Sequence, residues 1–186
     1  MSFARTKLCV GLAAAALAFC GAATLAQEAN SEPQTPSWSQ EQWPFPIDQW
    51  GTGQAFHCPA ERCGGELHLY LRAKIGFCRC ATGVFDDDEI ERVGDLELIG
   101  PDYKPLTPGH PVNAGVMTGR ARLFAVVRPL QPRLPILSIA LAHKCDAIVA
   151  TVQAEPLQDS VAEVEALDFL RSATIQDWVE AQSGSQ

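Results

Sequence analysis

Ile136-Leu137-Ser138-Ile139-Ala140-Leu141-Ala142-His143 and Ala147-Ile148-Val149-Ala150-Thr151-Val152-Gln153-Ala154 flank the tripeptide Lys144-Cys145-Asp146. Two short apolar runs of this kind, rich in aliphatic and β-branched residues and bounded by polar ones, read as buried strands. They form a hairpin across the tripeptide, or one long strand with a bulge there. Upstream, Arg120 to Val127 reads as a further strand, ending where Pro129 and Pro132 break the run. Earlier still, Glu66-Leu-His-Leu-Tyr-Leu-Arg72 alternates Leu67, Leu69 and Leu71 with polar or amphipathic residues, the period of a half-buried strand. His68 then shares the Tyr70 face. The proline-rich segments 101–111 and 129–135 are expected as surface loops.

After the strands the period changes. Ser160-Val-Ala-Glu163 has the capping-box pattern, and Val161, Val164, Leu167 and Leu170 follow as the expected inward stripe of a helix. Thr174-Ile-Gln-Asp177 opens a second short helix with Ile175, Trp178 and Val179 on one side. Strands followed by helices predict an α+β fold, a single domain with a mostly antiparallel sheet covered by C-terminal helices.

The N-terminus reads as an export leader. Arg5 and Lys7 supply the positive region, Leu8 to Phe19 the apolar one, and Thr24 and Ala26 are small enough for cleavage after Ala26, with Ala23 as the near alternative. Acylation of Cys20 is disfavoured, because bulky Phe19 stands where a lipobox takes a small residue. The apolar stretch is Ala-rich and short for a membrane span, so no span is expected after cleavage. The leader's removal takes two cations from a net charge of −8 and leaves −10. Such a chain is repelled by phosphate backbones, which argues against nucleic-acid binding. The remainder suits one domain over residues 51–182, preceded by a Pro- and Trp-containing arm, 27–50, disordered in its first part, and followed by a flexible tail, 183–186. The arm carries Trp38, Trp43, Phe45 and Trp50 among prolines, so its aromatic rings need an apolar seat on their own domain or on a partner. Gly51-Thr-Gly53 lacks the third glycine and the preceding strand of a dinucleotide loop.

After cleavage at Ala26 five cysteines remain: Cys58, Cys63, Cys78, Cys80 and Cys145. In an oxidising compartment the first four are disulfide candidates, and the odd count leaves Cys145 as the free-thiol candidate. Cys78 and Cys80 are two apart, and a bond between them closes a strained ring, so each is expected to pair elsewhere, with Cys58 and Cys63 nearest. Two bridges would then staple the N-terminal part around the first strand and leave Cys145 as a free thiol. A second reading makes His57, Cys58, Cys63, His68, Cys78 and Cys80 ligands of Cu(I) or Zn(II), although the C-x4-C and C-x-C spacings differ from common zinc knuckles. A third makes Cys78-Arg79-Cys80 the dithiol of a thiol-disulfide oxidoreductase. A Cys145 nucleophile beside His143 is the weakest, since sequence neighbours rarely adopt nucleophile-base geometry.

Asp86-Asp87-Asp88-Glu89 lacks the ligand order of an EF-hand; Asp86 or Asp87 is expected to cap a short helix through Ile90 and Val93. His110 sits between Gly109 and Pro111 with no sequence partner, and no H-E-x-x-H, G-x-S-x-G or P-loop occurs. The segments His57-Cys58-Pro-Ala-x-x-Cys63-Gly64, Leu69-Tyr-Leu-Arg-Ala-Lys-Ile-Gly-Phe-Cys78-x-Cys80, Thr82-Gly-Val and Glu91-Arg-Val-Gly-Asp95 resemble a group of uncharacterised exported bacterial proteins, over roughly residues 50 to 100. That resemblance implies no activity. The late strands and a helix ending in Phe169-Leu-Arg-Ser172 are similar in order to Mog1/PsbP-like α+β sandwiches. The expectation is an exported periplasmic or secreted protein, a non-catalytic module that binds an envelope protein or a small ligand, with metal binding and redox exchange as the alternatives.

Overall fold

The computed structural model describes residues 37–77, 79–128, 132–155 and 159–183. The leader, Cys20, Cys78 and the last three residues lie outside them. The strands are β1 (Ser39–Glu41), β2 (Gln54–Cys58), β3 (Glu66–Lys74), β4 (Asp102–Pro105), β5 (His110–Ala114), β6 (Met117–Val127), β7 (Leu134–His143) and β8 (Asp146–Glu155). They form one eight-stranded sheet in the order β1-β2-β3-β8-β7-β6-β4, with β5 also on β6, and every pairing is antiparallel. The helices are α1 (Ala60–Cys63), α2 (Asp87–Val93), α3 (Asp159–Leu170) and α4 (Ala173–Ser183), with a 3-10 turn at Leu96–Leu98.

The two apolar runs are a hairpin. β7 and β8 pair from Ile136 with Gln153 to His143 with Asp146, and Lys144 turns the chain at φ 56. Burial on both faces explains the near-continuous apolar sequence. On one face Leu67, Leu69, Leu71, Ile139, Leu141, Ile148 and Val152 pack with residues of α3 and α4. On the other, Ala140, Ala147 and Val149 meet Ile90 and Val93 of α2, while Phe124, Val126 and Ile136 meet Leu96. Helical turns therefore lie on both faces, not only the C-terminal helices on one.

Two of the expected loop segments contain strands. β4 lies along Phe124–Val127 and β5 along Met117–Ala121, so the eleven-residue β6 carries two short edge strands in tandem. Pro105 and Pro111 are compatible with this because an edge strand leaves one row of backbone groups unpaired. β7 similarly starts at Leu134, within the second proline-rich segment. The arm also contributes an edge strand, β1, and packs on its own chain. Trp38 stacks on Phe169 at 4.9 Å between ring centroids, Phe45 meets Tyr70 at 4.8 Å, and Trp50 meets Phe77 at 4.7 Å. Gly53 is where Trp43 passes, since a Cβ there would lie 2.5 Å from both the Trp43 ring and Leu71 O.

The stripe of α3 differs from expectation. Val164 is 56% exposed, and Ala162, Ala166, Leu167 and Leu170 face the sheet. Alanines at i and i+4 let the helix approach closely, and their weak apolar signal is masked by the more hydrophobic valines. Ser160 lies inside the helix, and Glu163, rather than closing a capping box, meets His110 Nε2 at 2.8 Å. His110 is therefore partnered. In α4, Ile175 and Val179 are buried as expected, with Trp178 packed partly against them.

Asp86 caps α2, accepting from the Glu89 amide at 2.8 Å. Asp87 ties the helix to β6, accepting from the Gly109 amide at 3.1 Å and from Arg120 Nη2 at 2.7 Å. The Gly109 amide is the largest influence holding the Asp87 carboxyl below its ordinary 3.8, followed among the lowering influences by Arg120 and Arg122. Because the folded-state value is depressed, this stabilisation is present above pH 3.8 and is lost as pH falls through the folded value. Asp87→Asn is thus expected to be less stable than the parent near neutrality and to converge with it in strong acid. Urea midpoints measured from pH 7 to pH 2 check this, and a constant difference would refute it.

Candidate functional site

A polar patch occupies the sheet edge made by β1, β2 and β3. His57 of β2 is the register partner of His68 of β3, so the two imidazoles stand side by side on one face. Their rings stack at 4.9 Å between centroids with 23° between planes. Glu66 lies two residues before His68 on the same strand, hence on the same face. Its Oε1 contacts His57 Nε2, while Oε2 accepts from the Ala60 amide at 3.2 Å. Glu41 enters from β1, with Oε1 3.7 Å from His57 Nδ1 and Oε2 3.5 Å from His68 Nδ1.

One ligand atom from each of His57, Glu66 and His68 lies within 4.8 Å of the other two. Tetrahedral zinc with bonds of about 2.0–2.1 Å needs donor atoms roughly 3.3 Å apart, so small side-chain rotations suffice to close the set. The side chains are 22%, 44% and 33% exposed respectively, which leaves an ion a route in. The hydrogen bond from His57 is the largest cause, and that from Ala60 the next, of a Glu66 carboxyl held below its usual 4.5. Glu66 is therefore an anionic donor at neutral pH.

The cysteines are arranged differently from expectation. Cys58 bonds to Cys63, and Cys80 to Cys145. The first bridge closes the turn through α1 between β2 and β3, instead of joining either residue to the segment after β3. The second reaches across the fold, so Cys145 is not a free thiol and has no nucleophile for His143 to activate. His143 instead faces Glu180 at 3.0 Å. In the metal reading, this removes the thiolates of Cys58, Cys63 and Cys80 and keeps the two histidines. What remains is an imidazole and carboxylate set, suited to Zn(II) or Cu(II) and not to Cu(I). In the redox reading, Cys80 is engaged with a residue 65 positions away, and Arg79 pairs with Glu89 at 2.9 Å.

Both acids of the patch, Glu66 and Glu41, escape the sequence reading. Glu66 carried a usable signal, since i and i+2 on a strand share a face. Glu41 carried none, because β1 is three exposed residues in a proline-punctuated arm.

A groove of about 890 Å³ lies between the arm and α2, walled by Phe45, Trp50, Phe77 and Tyr103. The cations at its base are already answered: Arg72 and Lys74 share Asp95, at 3.0 and 2.8 Å, and Arg72 also reaches Asp48 at 2.6 Å. Such mutual neutralisation is what a structural ion network looks like, whereas the histidine cluster brings three potential ligand atoms within 4.8 Å of one another. No protein-family model and no curated protein matches this chain.

The two disulfides fit an oxidising extracellular environment. Among the described residues, no helix is long and apolar enough to cross a membrane.

Proposed function

We propose that this chain is an exported cell-envelope protein that binds one divalent transition-metal ion, Zn(II) or Cu(II), through His57, Glu66 and His68. The observation that carries the reading is the convergence of two imidazoles and a carboxylate, within 4.8 Å of one another, on adjacent paired strands. Two histidines with one carboxylate form a donor set used for zinc and other first-row metals. Export rests on the leader sequence and is consistent with two disulfides. Metal binding is the alternative that the sequence offers beside a binding or interaction module, here with His57 and His68 kept and Glu66 in place of the cysteine thiolates.

The test uses full-length oxidised protein, with metal content measured by elemental analysis and affinity by titration calorimetry. One equivalent of zinc is expected to bind, and His57→Ala and His68→Ala each to remove it. At a free concentration about 100 times Kd, binding is worth roughly 2.7 kcal/mol to the folded state. For a chain of this size that corresponds to a rise in Tm of roughly 5–10 °C, absent in the two alanine variants. Absence of zinc and copper binding, or binding that persists unchanged in both variants, overturns the reading.

A further inference from the structure

We propose that Glu41 is the outer carboxylate that orients both metal-binding imidazoles, so that metal occupancy and docking of the N-terminal edge strand are linked. This rests on the metal reading above. The two nitrogens of an imidazole point to different sides of the ring, and one of them must be left bare for the metal. Glu41 faces Nδ1 of His57 with one oxygen and Nδ1 of His68 with the other. It is the near-parallel stack of the two rings that lets one side chain serve both. In the metal-free chain His57 Nε2 donates to Glu66; an ion seated there takes the place of that proton, and a carboxylate facing Nδ1–H then favours the tautomer with Nε2 bare.

The geometry also separates the roles of the two acids. Glu66 lies on the Nε2 side of His57, where an ion would sit, and is itself positioned by the Ala60 amide. Glu41 lies on the Nδ1 side, where a second-layer acceptor belongs. Glu41 is therefore a positioning residue and Glu66 a ligand.

β1 gives this arrangement a wider consequence. It is a three-residue edge strand with every residue exposed, joined to the sheet by its ladder to Ala55, Phe56 and His57 and by the preceding Trp38. A segment with so few buried contacts opens at low free-energy cost. If docked Glu41 tightens metal binding by some factor, bound metal must tighten docking of β1 by the same factor. Outer carboxylates on ligand histidines are typically worth 10–100-fold in metal affinity. The ion would thus clamp the arm to the domain.

The experiment compares zinc titration of the full-length oxidised parent and Glu41→Gln, with imidazole tautomers read from two-bond 1H–15N spectra and amide exchange followed at residues 39–41. Glutamine keeps the size of the side chain but has one oxygen to offer two rings. The expected result is a Kd about 10–100-fold higher at the same stoichiometry, with an unchanged Tm in the absence of metal. The zinc-bound parent should keep Nδ1–H on both rings, and zinc should slow exchange in β1 more in the parent than in the variant. Parental affinity in Glu41→Gln, or zinc on Nδ1 of either ring, overturns the inference while leaving the metal reading intact. If the parent itself binds no zinc or copper, the metal reading fails and this inference fails with it.

Discussion

Asp95→Asn is expected to cost about 3–5 kcal/mol of stability, the characteristic penalty for removing one partner from a buried ion pair. Arg72 is only 1% exposed and Lys74 only 4%, and both project from β3 toward the α2 side of the sheet. Asp95 stands between them, each oxygen taking one cation: Oδ2 accepts from Arg72 Nε at 3.0 Å and Oδ1 from Lys74 Nζ at 2.8 Å. Lys74 Nζ also donates to Val93 O at 2.7 Å, so the network pins the C-terminal end of α2. Asparagine would remove the anion and one of its two acceptor oxygens while both cations stayed buried. Asp48 would still answer Arg72, leaving Lys74 with backbone carbonyls and the ring faces of Trp50 and Phe77. A loss of this size is a large share of the roughly 5–15 kcal/mol that holds a typical domain together. Urea is the appropriate denaturant, since guanidinium salt would screen the charges under test. The combined change Arg72→Met, Lys74→Met and Asp95→Leu should cost less than Asp95→Asn alone, because it removes the buried charges together with their desolvation. A cost below 1 kcal/mol for Asp95→Asn would show that water reaches this network.

The same residues show what sequence could convey. The alternation of Leu67, Leu69 and Leu71 located β3, and the long apolar runs located β7 and β8, because a wide buried sheet imposes its period on the residues that fill it. Nothing comparable marks β1, β4 or β5. They are three to five residues long, mostly exposed and punctuated by Pro105 and Pro111, so their only structural signature is backbone pairing with β2 or β6. The C-terminal helices were legible as helices, but α3 buries alanines and exposes Val164, an inversion that depends on how closely the helix approaches the sheet. For the site, His57 and His68 were singled out from their residue type. Their convergence is a property of the β2–β3 register, which the Gly64-Gly65 turn and the Cys58–Cys63 bridge make possible. Disulfide connectivity was illegible for a related reason: proximity along the chain suggested joining the two halves of the cluster, but Cys80 meets a partner that is near only after β3 has paired with β8.

Replacing Cys80 and Cys145 together by serine should destabilise the oxidised protein by about 4 kcal/mol, against about 2 kcal/mol for the Cys58 and Cys63 pair. The difference follows from the sequence separations of 65 and 5 residues, since a longer closed loop removes more conformational freedom from the unfolded chain. Folded-state contacts point the same way. The ladder between β3 and β8 ends at Lys74 and Ala147, and the long bridge lies just beyond it, tying the segment after β3 to the turn between β7 and β8. The Gly76 amide donates to Asp146 at 2.7 Å beside that bridge. The short bridge acts locally: it closes the turn that places the Ala60 amide on Glu66. The two double variants should therefore separate stability from binding. Cys80→Ser with Cys145→Ser is expected to lower the urea midpoint most while leaving zinc affinity near that of the parent. Cys58→Ser with Cys63→Ser is expected to lose less stability but to weaken zinc binding, because Glu66 loses its rigid support. Equal losses of stability, or zinc binding that follows the long bridge instead of the short one, would contradict this division between a brace for the fold and a brace for the site.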